Sequence, residues 1–290
     1  MRVVATAPAK INLTLDMVGR REDGYHLVRT VLQGLSLRES VTVWEEKEPG
    51  VRLSVVGAAV PADERNTAWK AAAVFRRETG HALPGLGIRV HKRVPVGAGL
   101  AGGSADAAAV LAALDRLAGT HLRTDELCGL GAQVGADVPF CLLGGTAVGT
   151  GTGTILSPLP DLPDCWVAVA KPPESISTAE AYRRIDGAPD LPVSRSAAME
   201  AAVCSGDLTA VGRELSNAFD AVTALSGVEE IKRVMRAHRT LGCQMTGSGS
   251  AVFGLFDDRA DAERCVQALR VRWADAFLCR PDPAGARVEG

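Results

Sequence analysis

No C-x-x-C pair occurs in the 290 residues, and the seven cysteines (Cys128, Cys141, Cys165, Cys204, Cys243, Cys265, Cys279) stand singly and in odd number. That excludes a disulfide framework or a structural zinc site of ordinary spacing and leaves reduced packing residues. His26, His81, His91, His121 and His238 also lack metal-ligand spacing. No apolar run reaches the ~18 residues of a membrane span and no signal-peptide core opens the sequence, so a cytoplasmic protein without a membrane partner is expected. An excess of charge of one sign is missing too. The formal net charge of −2 offers no general attraction to nucleic acid. There is no internal repeat and no low-complexity segment. What remains is a chain with 47% hydrophobic residues, apolar enough to bury one large core or two modest ones.

Residues 95–111, PVGAGLAGGSADAAAVL, form a glycine-rich loop running into an alanine-rich amphipathic segment. Gly97, Gly99, Gly102 and Gly103 let the backbone take positive φ and approach a ligand closely, and Ser104 and Asp106 sit where a helix begins. Ala107, Val110, Leu111, Leu114, Leu117 and Ala118 recur at helical spacing, and Gly119 ends the pattern. Free N–H groups and the positive dipole end of such a helix suit a polyphosphate. A purely structural strand-to-helix turn is the plainer alternative.

Three familiar phosphate motifs are excluded. Gly97, Gly99 and Gly102 satisfy G-x-G-x-x-G, but Asp125 and Glu126 open a predicted helix where the dinucleotide pattern wants an acidic residue closing a strand. The Walker pattern fails because Gly103 and Ser104 follow Gly102 where Lys and Ser/Thr are required. The H-R-D and D-F-G partners of a protein-kinase loop are absent.

Elsewhere, Ile11, Leu13 and Leu15 alternate with Lys10, Asn12, Thr14 and Asp16, which predicts a strand that buries one face and presents Lys10 and Asn12 on the other. Asp23-Gly24 is a turn with Tyr25 and His26 just beyond it. Strands are expected near 41–44, 51–55 and 86–90. Asn66 is expected to cap a helix through Arg77 that stops at Gly80, and Thr124 to cap another. Asp137 lies between Gly135 and Pro139 at the mouth of an apolar strand, as a turn former or a held carboxylate. Residues 144–154 read as a strand and tight turn, and prolines 158, 160 and 163 punctuate a domain boundary. Beyond it come a strand at 166–170 and helices at 178–183, 197–204, 208–219 and 228–241. Strands at 243–246 and 251–256 flank Gly247-Ser248-Gly249-Ser250, and a final helix and strand follow.

Three separated motifs, APAKINLTLDMVGRREDGYH (7–26), PVGAGLAGGSADAA (95–108) and TGSGSAVFGLF (246–256), together closely resemble the GHMP kinases. GADVPF (135–140) and STAEAY (177–182) extend the likeness over nearly the whole chain. The glycine loop specifies only the superfamily. The P-A-K-I-N-L start joined to D-G-Y-H resembles the members that phosphorylate the 2-hydroxyl of 4-diphosphocytidyl-2-C-methyl-D-erythritol.

The resemblance implies an α+β, two-domain fold. A ribosomal S5 domain 2-like N-terminal domain would span 1–157 and a ferredoxin-like C-terminal domain 158–290, with ATP and a small-molecule substrate meeting in the cleft between them. It implies that Pro95, Val96, Gly97, Ala98, Gly99, Leu100, Ala101, Gly102, Gly103 and Ser104 wrap the triphosphate of ATP with Mg²⁺, Ser104 being a candidate contact to phosphate or metal. Asn66 is the candidate for the adenine, and Gly247, Ser248 and Gly249 form a second glycine turn at the site. Lys10 and Asp137 take the catalytic places, near the γ-phosphate and the reacting hydroxyl. Tyr25 and Tyr182 would sandwich the pyrimidine and His26 read its edge, with Asn12 and Thr178 holding polar groups of the substrate. Ala101 departs from the glycine that many members carry. The alternatives are a GHMP kinase for a mevalonate-type, homoserine or sugar acceptor, and a non-catalytic nucleotide-binding relative. No oligomeric state follows.

Overall fold

Two long strands lead the chain: β1 (Arg2–Arg20) and β2 (His26–Glu45) pair antiparallel across the Asp23-Gly24 turn. The computed structural model describes residues 1–81, 83–188 and 190–289. After β2 come β3 (Gly50–Val56), α1 (Thr67–Thr79), β4 (Gly85–His91), α2 (Gly102–Ala118), α3 (Thr124–Ala132), α4 (Val138–Leu143), β5 (Thr146–Thr150) and β6 (Ile155–Leu159). The second half carries β7 (Trp166–Ala170), α5 (Thr178–Asp186), α6 (Ser196–Ser205), α7 (Leu208–Glu214), β8 (Ser216–Asn217), α8 (Ala218–Thr223) and α9 (Ser226–Ala237). It closes with β9 (Gly242–Met245), β10 (Val252–Phe256), α10 (Arg259–Arg270), β11 (Ala276–Cys279) and β12 (Arg287–Val288).

The larger sheet runs β12-β1-β2-β4-β3, with β5 and β6 added beside β2 and β8 beside β1. The smaller is antiparallel in the order β11-β7-β10-β9. Small side chains let α2 lie close on the larger sheet: Ala105, Ala107, Ala108, Ala109 and Ala113 are fully buried there, among Val41, Val43, Ile88 and Phe75. Between the sheets, Ile11, Leu13, Val31 and Leu35 share a core with Val167, Val169, Phe253 and Leu255. The two halves are therefore joined by apolar burial, the dominant favourable term in folding. The 157/158 division falls inside β6, and the second half returns β8 and β12 to the first sheet.

The expected half-exposed β1 is corrected here. Lys10, Asn12, Thr14 and Asp16 are as buried as their apolar neighbours, because elements of the second half cover the face expected to meet solvent. Asp16 shows how: its Oδ2 accepts from the amide and hydroxyl of Ser196 at 2.9 and 2.6 Å, fixing the start of α6. Register shifts between Pro8 and Lys10 and between Asn12 and Thr14 flank the two polar residues, and irregularities of this kind re-aim side chains near sites.

Two further expectations change. The apolar run after Asp137 is helix α4, not a strand; Pro139 is tolerated because it lies in the first turn. The helix expected over 208–219 breaks at Leu215, where Ser216 and Asn217 pair in parallel with Thr14 and Leu15 and Asn217 caps α8.

The C-terminal segment lies along the first half. Ala5 pairs with Val288, and buried Arg38 donates to the Asp282 carboxylate (2.7 Å) and to the carbonyls of Ala284 (3.0 Å) and Gly285 (2.6 Å). No helix among the described residues is long and apolar enough to cross a membrane.

Candidate active site

The two halves enclose a cleft of about 1430 Å³, larger than the ~300–1,000 Å³ that one small ligand takes. Its walls include Lys10 and Asn12 of β1, loop residues 95–103, Asp137, Thr178 and Tyr182 of α5, and the turn Gly247-Ser248-Gly249.

In the loop, positive φ is taken by Gly97 (63°), Gly99 (76°) and Ala101 (58°), whereas Gly102 and Gly103 already belong to α2. Gly102 is small for another reason: a Cβ there would lie 3.1 Å from Glu39 Oε1 and from Val94 Cβ. Ala101 caps α2 without a side-chain bond, so no cap side chain occupies the first-turn amides, and Gly102 and Gly103 of that turn line the cleft. Ser104 and Asp106 thus lie inside the helix rather than ahead of it. A left-handed alanine costs about 1–2 kcal/mol, partly offset by the packing of its methyl on the core. Ala101→Gly is expected to leave the loop in place and stabilise the fold by under about 1 kcal/mol, read as a small rise in Tm; a fall would show that the methyl contact outweighs the strain.

The second glycine turn leans on the first. Ala251 N donates to Ala98 O at 3.0 Å, and Gly247 N to Asn12 Oδ1 at 3.0 Å. Asn217, expected in the last turn of a helix over 208–219, donates its side-chain amide to Met245 O (2.8 Å) and Gly247 O (2.9 Å). Asparagine's preference for caps over helix interiors is the signal that could have found it.

Lys10 is buried with its ammonium 2.8 Å from Asn12 Oδ1 and 3.6 Å from Asp137 Oδ2, and its amide donates to Leu100 O at 3.0 Å. One residue thereby ties the loop backbone to the carboxylate. Asp137 precedes α4, yet its side chain makes no cap bond, which leaves it turned to Lys10 and the cleft. Asn12 also accepts from Thr246 Oγ1 (3.2 Å) and donates to Thr30 Oγ1 (2.8 Å). Most of its hydrogen-bonding capacity is therefore spent inside the protein.

At another part of the cleft, His26 stacks on Tyr182 with ring centroids 4.7 Å apart and a 25° tilt, and Phe219 meets Tyr182 edge-on at 4.9 Å. Tyr25 lines the cleft but is 65% exposed, so the expected Tyr25/Tyr182 pair is not brought face to face here. Asp186, one turn beyond Tyr182, holds His26 Nε2 at 2.8 Å. Sequence reasoning passed over it, although the i,i+4 spacing puts Tyr182 and Asp186 on one face of α5. Thr178 Oγ1 lies 3.2 Å from Ser248 Oγ. Asn66 lines the cleft and caps α1, with Oδ1 accepting from Ala68 N (2.9 Å) and Nδ2 donating to Pro61 O (2.6 Å).

Known proteins match this chain in sequence and fold. The family model for the GHMP kinases N terminal domain matches residues 66–145, and that for the GHMP kinases C terminal matches residues 199–275. The chain belongs to the GHMP kinases. The 4-diphosphocytidyl-2-C-methyl-D-erythritol kinase of Exiguobacterium sibiricum is 42% identical to it over 97% of this chain and 98% of its own. That of Alkaliphilus metalliredigens is 39% identical over 93% of each. A solved 4-(cytidine 5'-diphospho)-2C-methyl-D-erythritol kinase superposes with a TM-score of 0.77 at 35% identity over the full length of both chains. Homoserine kinase from Cytophaga hutchinsonii reaches a TM-score of 0.81 at 19% identity, so it shares the fold alone.

Beneath the loop of this GHMP kinase, Asp106, expected only at the start of a helix, meets Glu39 and Lys92, which no sequence motif marked. Glu39, Lys92 and Asp106 are buried together, with one ammonium facing two carboxylates. Burial pushes the Asp106 carboxyl up to about 7; Lys92 opposes this and Glu39 adds to it. Glu39 is raised as well, by burial against the pull of Lys92. Lys92 loses to burial but is raised on balance by Asp106 and Glu39.

The sign for stability follows from the proton count. From about pH 4 to about pH 7 the unfolded chain ionises Asp106 while the folded chain keeps its proton, so stability falls as pH rises through that window and levels off above it. Asp106→Asn removes this loss. The Tm of the variant minus that of the unaltered protein is expected to be more positive at pH 8 than at pH 5, and an equal difference at both pH values would contradict the raised carboxyl.

Proposed function

We propose that this GHMP kinase transfers the γ-phosphoryl of ATP to the 2-hydroxyl of 4-diphosphocytidyl-2-C-methyl-D-erythritol. The observation that carries the acceptor is the aromatic end of the cleft, where His26, Tyr182 and Tyr25 line the same cavity as Lys10, Asp137 and the glycine loop. A mevalonate-type or homoserine acceptor has no base for such rings to hold. A pyrimidine can displace the His26–Tyr182 stack or slide between Tyr182 and Tyr25, since aromatic faces gain by offset stacking. Asp186 orients the imidazole that reads the base edge.

The reaction asks little covalent work of the protein, so catalysis rests on positioning and charge neutralisation. The acceptor hydroxyl oxygen bonds to the γ-phosphorus, the β,γ-bridging P–O bond breaks, and ADP leaves. Asp137 orients the hydroxyl and takes its proton. Lys10, fixed by Asn12 and by its own amide bond to Leu100, neutralises the transferring group. Free amides of the loop and the first turn of α2 cradle the remaining phosphate charge.

Among the described residues no three His, Cys, Asp or Glu side chains gather into a metal cage. Mg²⁺ fits such a cleft, because it keeps waters and phosphate oxygens and needs only one or two protein oxygens. Ser104 in the first turn of α2 and the triphosphate would hold it, and it would add positive charge against the developing phosphate charge. The deciding experiment compares ATP turnover on the diphosphocytidyl alcohol with turnover on mevalonate, homoserine and sugar acceptors. Failure of the cytidine substrate beside success of another acceptor overturns the assignment.

A further inference from the structure

Lys92 follows β4 at the start of the nucleotide loop, Asp106 stands in α2 at its end, and Glu39 on β2 lies between them. Their side chains are only 5%, 4% and 0% exposed. Lys92 Nζ donates to Asp106 Oδ2 at 2.7 Å and pairs with Glu39 Oε1. Glu39 Oε2 accepts from the Arg93 amide at 2.8 Å. Gly102 rests directly on the group: a Cβ there would lie 3.2 Å from Lys92 Nζ. A lysine beside a glycine loop, and in the wall of the cleft as Lys92 and Asp106 are, invites assignment to the phosphates, but this ammonium is nearly fully buried and engaged by two carboxylates.

We propose that Glu39, Lys92 and Asp106 form a staple that fixes the separation of the two ends of the nucleotide loop, making Lys92 and Asp106 positioning residues for ATP affinity rather than ligands of its phosphates. The proposal rests on the loop being the ATP cradle. The physical cause is the imbalance that removing the single ammonium creates. Without Lys92, two buried carboxylates face each other unpaired, and an uncompensated buried charge is far costlier than a missing pair. The loop ends then move apart or admit water, and the amides that should converge on phosphate lose their alignment. Chemistry at Lys10 and Asp137 is untouched once ATP is bound.

The test compares the unaltered protein with Lys92→Met and with Lys92→Met/Asp106→Asn, measuring ATP affinity by titration and KM for ATP against kcat in turnover. The single variant is expected to raise both Kd and KM for ATP about tenfold or more while kcat changes less than about threefold. The double variant is expected to return to within about tenfold of the unaltered protein, because one buried charge is gone and the amide introduced at position 106 can donate to Glu39. A double variant more than about tenfold weaker for ATP is the result a phosphate-binding lysine requires, and it overturns the staple. So does a loss that appears in kcat alone. Should the single variant fail to fold, the double variant decides by the same limit. Absence of ATP binding by the unaltered protein would instead refute the loop as an ATP cradle, while binding without turnover of the cytidine substrate would count against the acceptor alone.

Discussion

Purified Asp137→Asn is expected to turn over about 10²–10⁴-fold more slowly than the unaltered enzyme, with KM for ATP changed only a few-fold. The amide keeps the shape of the side chain but cannot take the acceptor proton. It also breaks the charge pairing across the 3.6 Å between Asp137 and Lys10. Since the carboxylate makes no helix-cap bond, folding has little stake in it. Lys10→Ala is expected to lose a comparable factor, and the pair together less than the product, because residues that act as a unit are not additive. Asn12 would keep its bonds from Thr246 and Gly247 in that variant, which holds the second turn in place. Near-normal kcat in either folded variant would remove Lys10 and Asp137 from the chemistry.

Gly99→Ala should be the most damaging single methyl in the loop. Gly99 has φ +76°, and a Cβ on it would sit 2.2 Å from the carbonyl oxygen of Thr246 and 3.2 Å from the Gly249 amide. No side chain can yield there, since both partners are backbone. The loop would have to separate from the second glycine turn, breaking the bond from Ala251 to Ala98. We expect a loss of about 3 kcal/mol in stability and of about 10²-fold or more in kcat/KM. Gly97→Ala is the control: its φ is +63°, but nothing lies within 4 Å of the added Cβ. It should cost only the backbone term, about 1–2 kcal/mol. Thermal melts and kcat/KM on both variants check the contrast, and equal behaviour would show that the turn contact is unimportant.

Much of the site was legible where its signal is local. Asn66 and Gly80 bound α1, and Gly119 ends α2 in the left-handed region, because caps and breakers act over a few residues. The fold class was legible through motifs spread over the chain. What stayed hidden depends on contacts between distant segments. Alternation in β1 foretold a strand but not that its polar face would be covered, since the covering elements arrive some 180 residues later, as the Asp16–Ser196 bond shows. The six-residue run after Asp137 was too short for periodicity to separate helix from strand. Glu39 carries no local mark at all; its role exists only because β2 runs beneath Lys92 and Gly102. Both tyrosines of the chain line the cleft, a convergence that only the resemblance of their motifs implied, since no local pattern brings positions 157 residues apart together.

The C-terminal segment has a consequence for how the protein is made. Val288 pairs with Ala5, and Arg38 is buried against Asp282, Ala284 and Gly285. The edge of the first sheet and the partner of a buried guanidinium are thus supplied by residues synthesised 244 or more positions after those they meet. During synthesis the N-terminal half can collapse around α2, but Arg38 waits without its acceptors until residues 282–285 have been made. Contacts of such sequence separation slow folding and leave an open strand edge in the meantime. A nascent chain stalled before residue 280 should therefore be more protease-sensitive and more dependent on chaperones than its finished core would suggest.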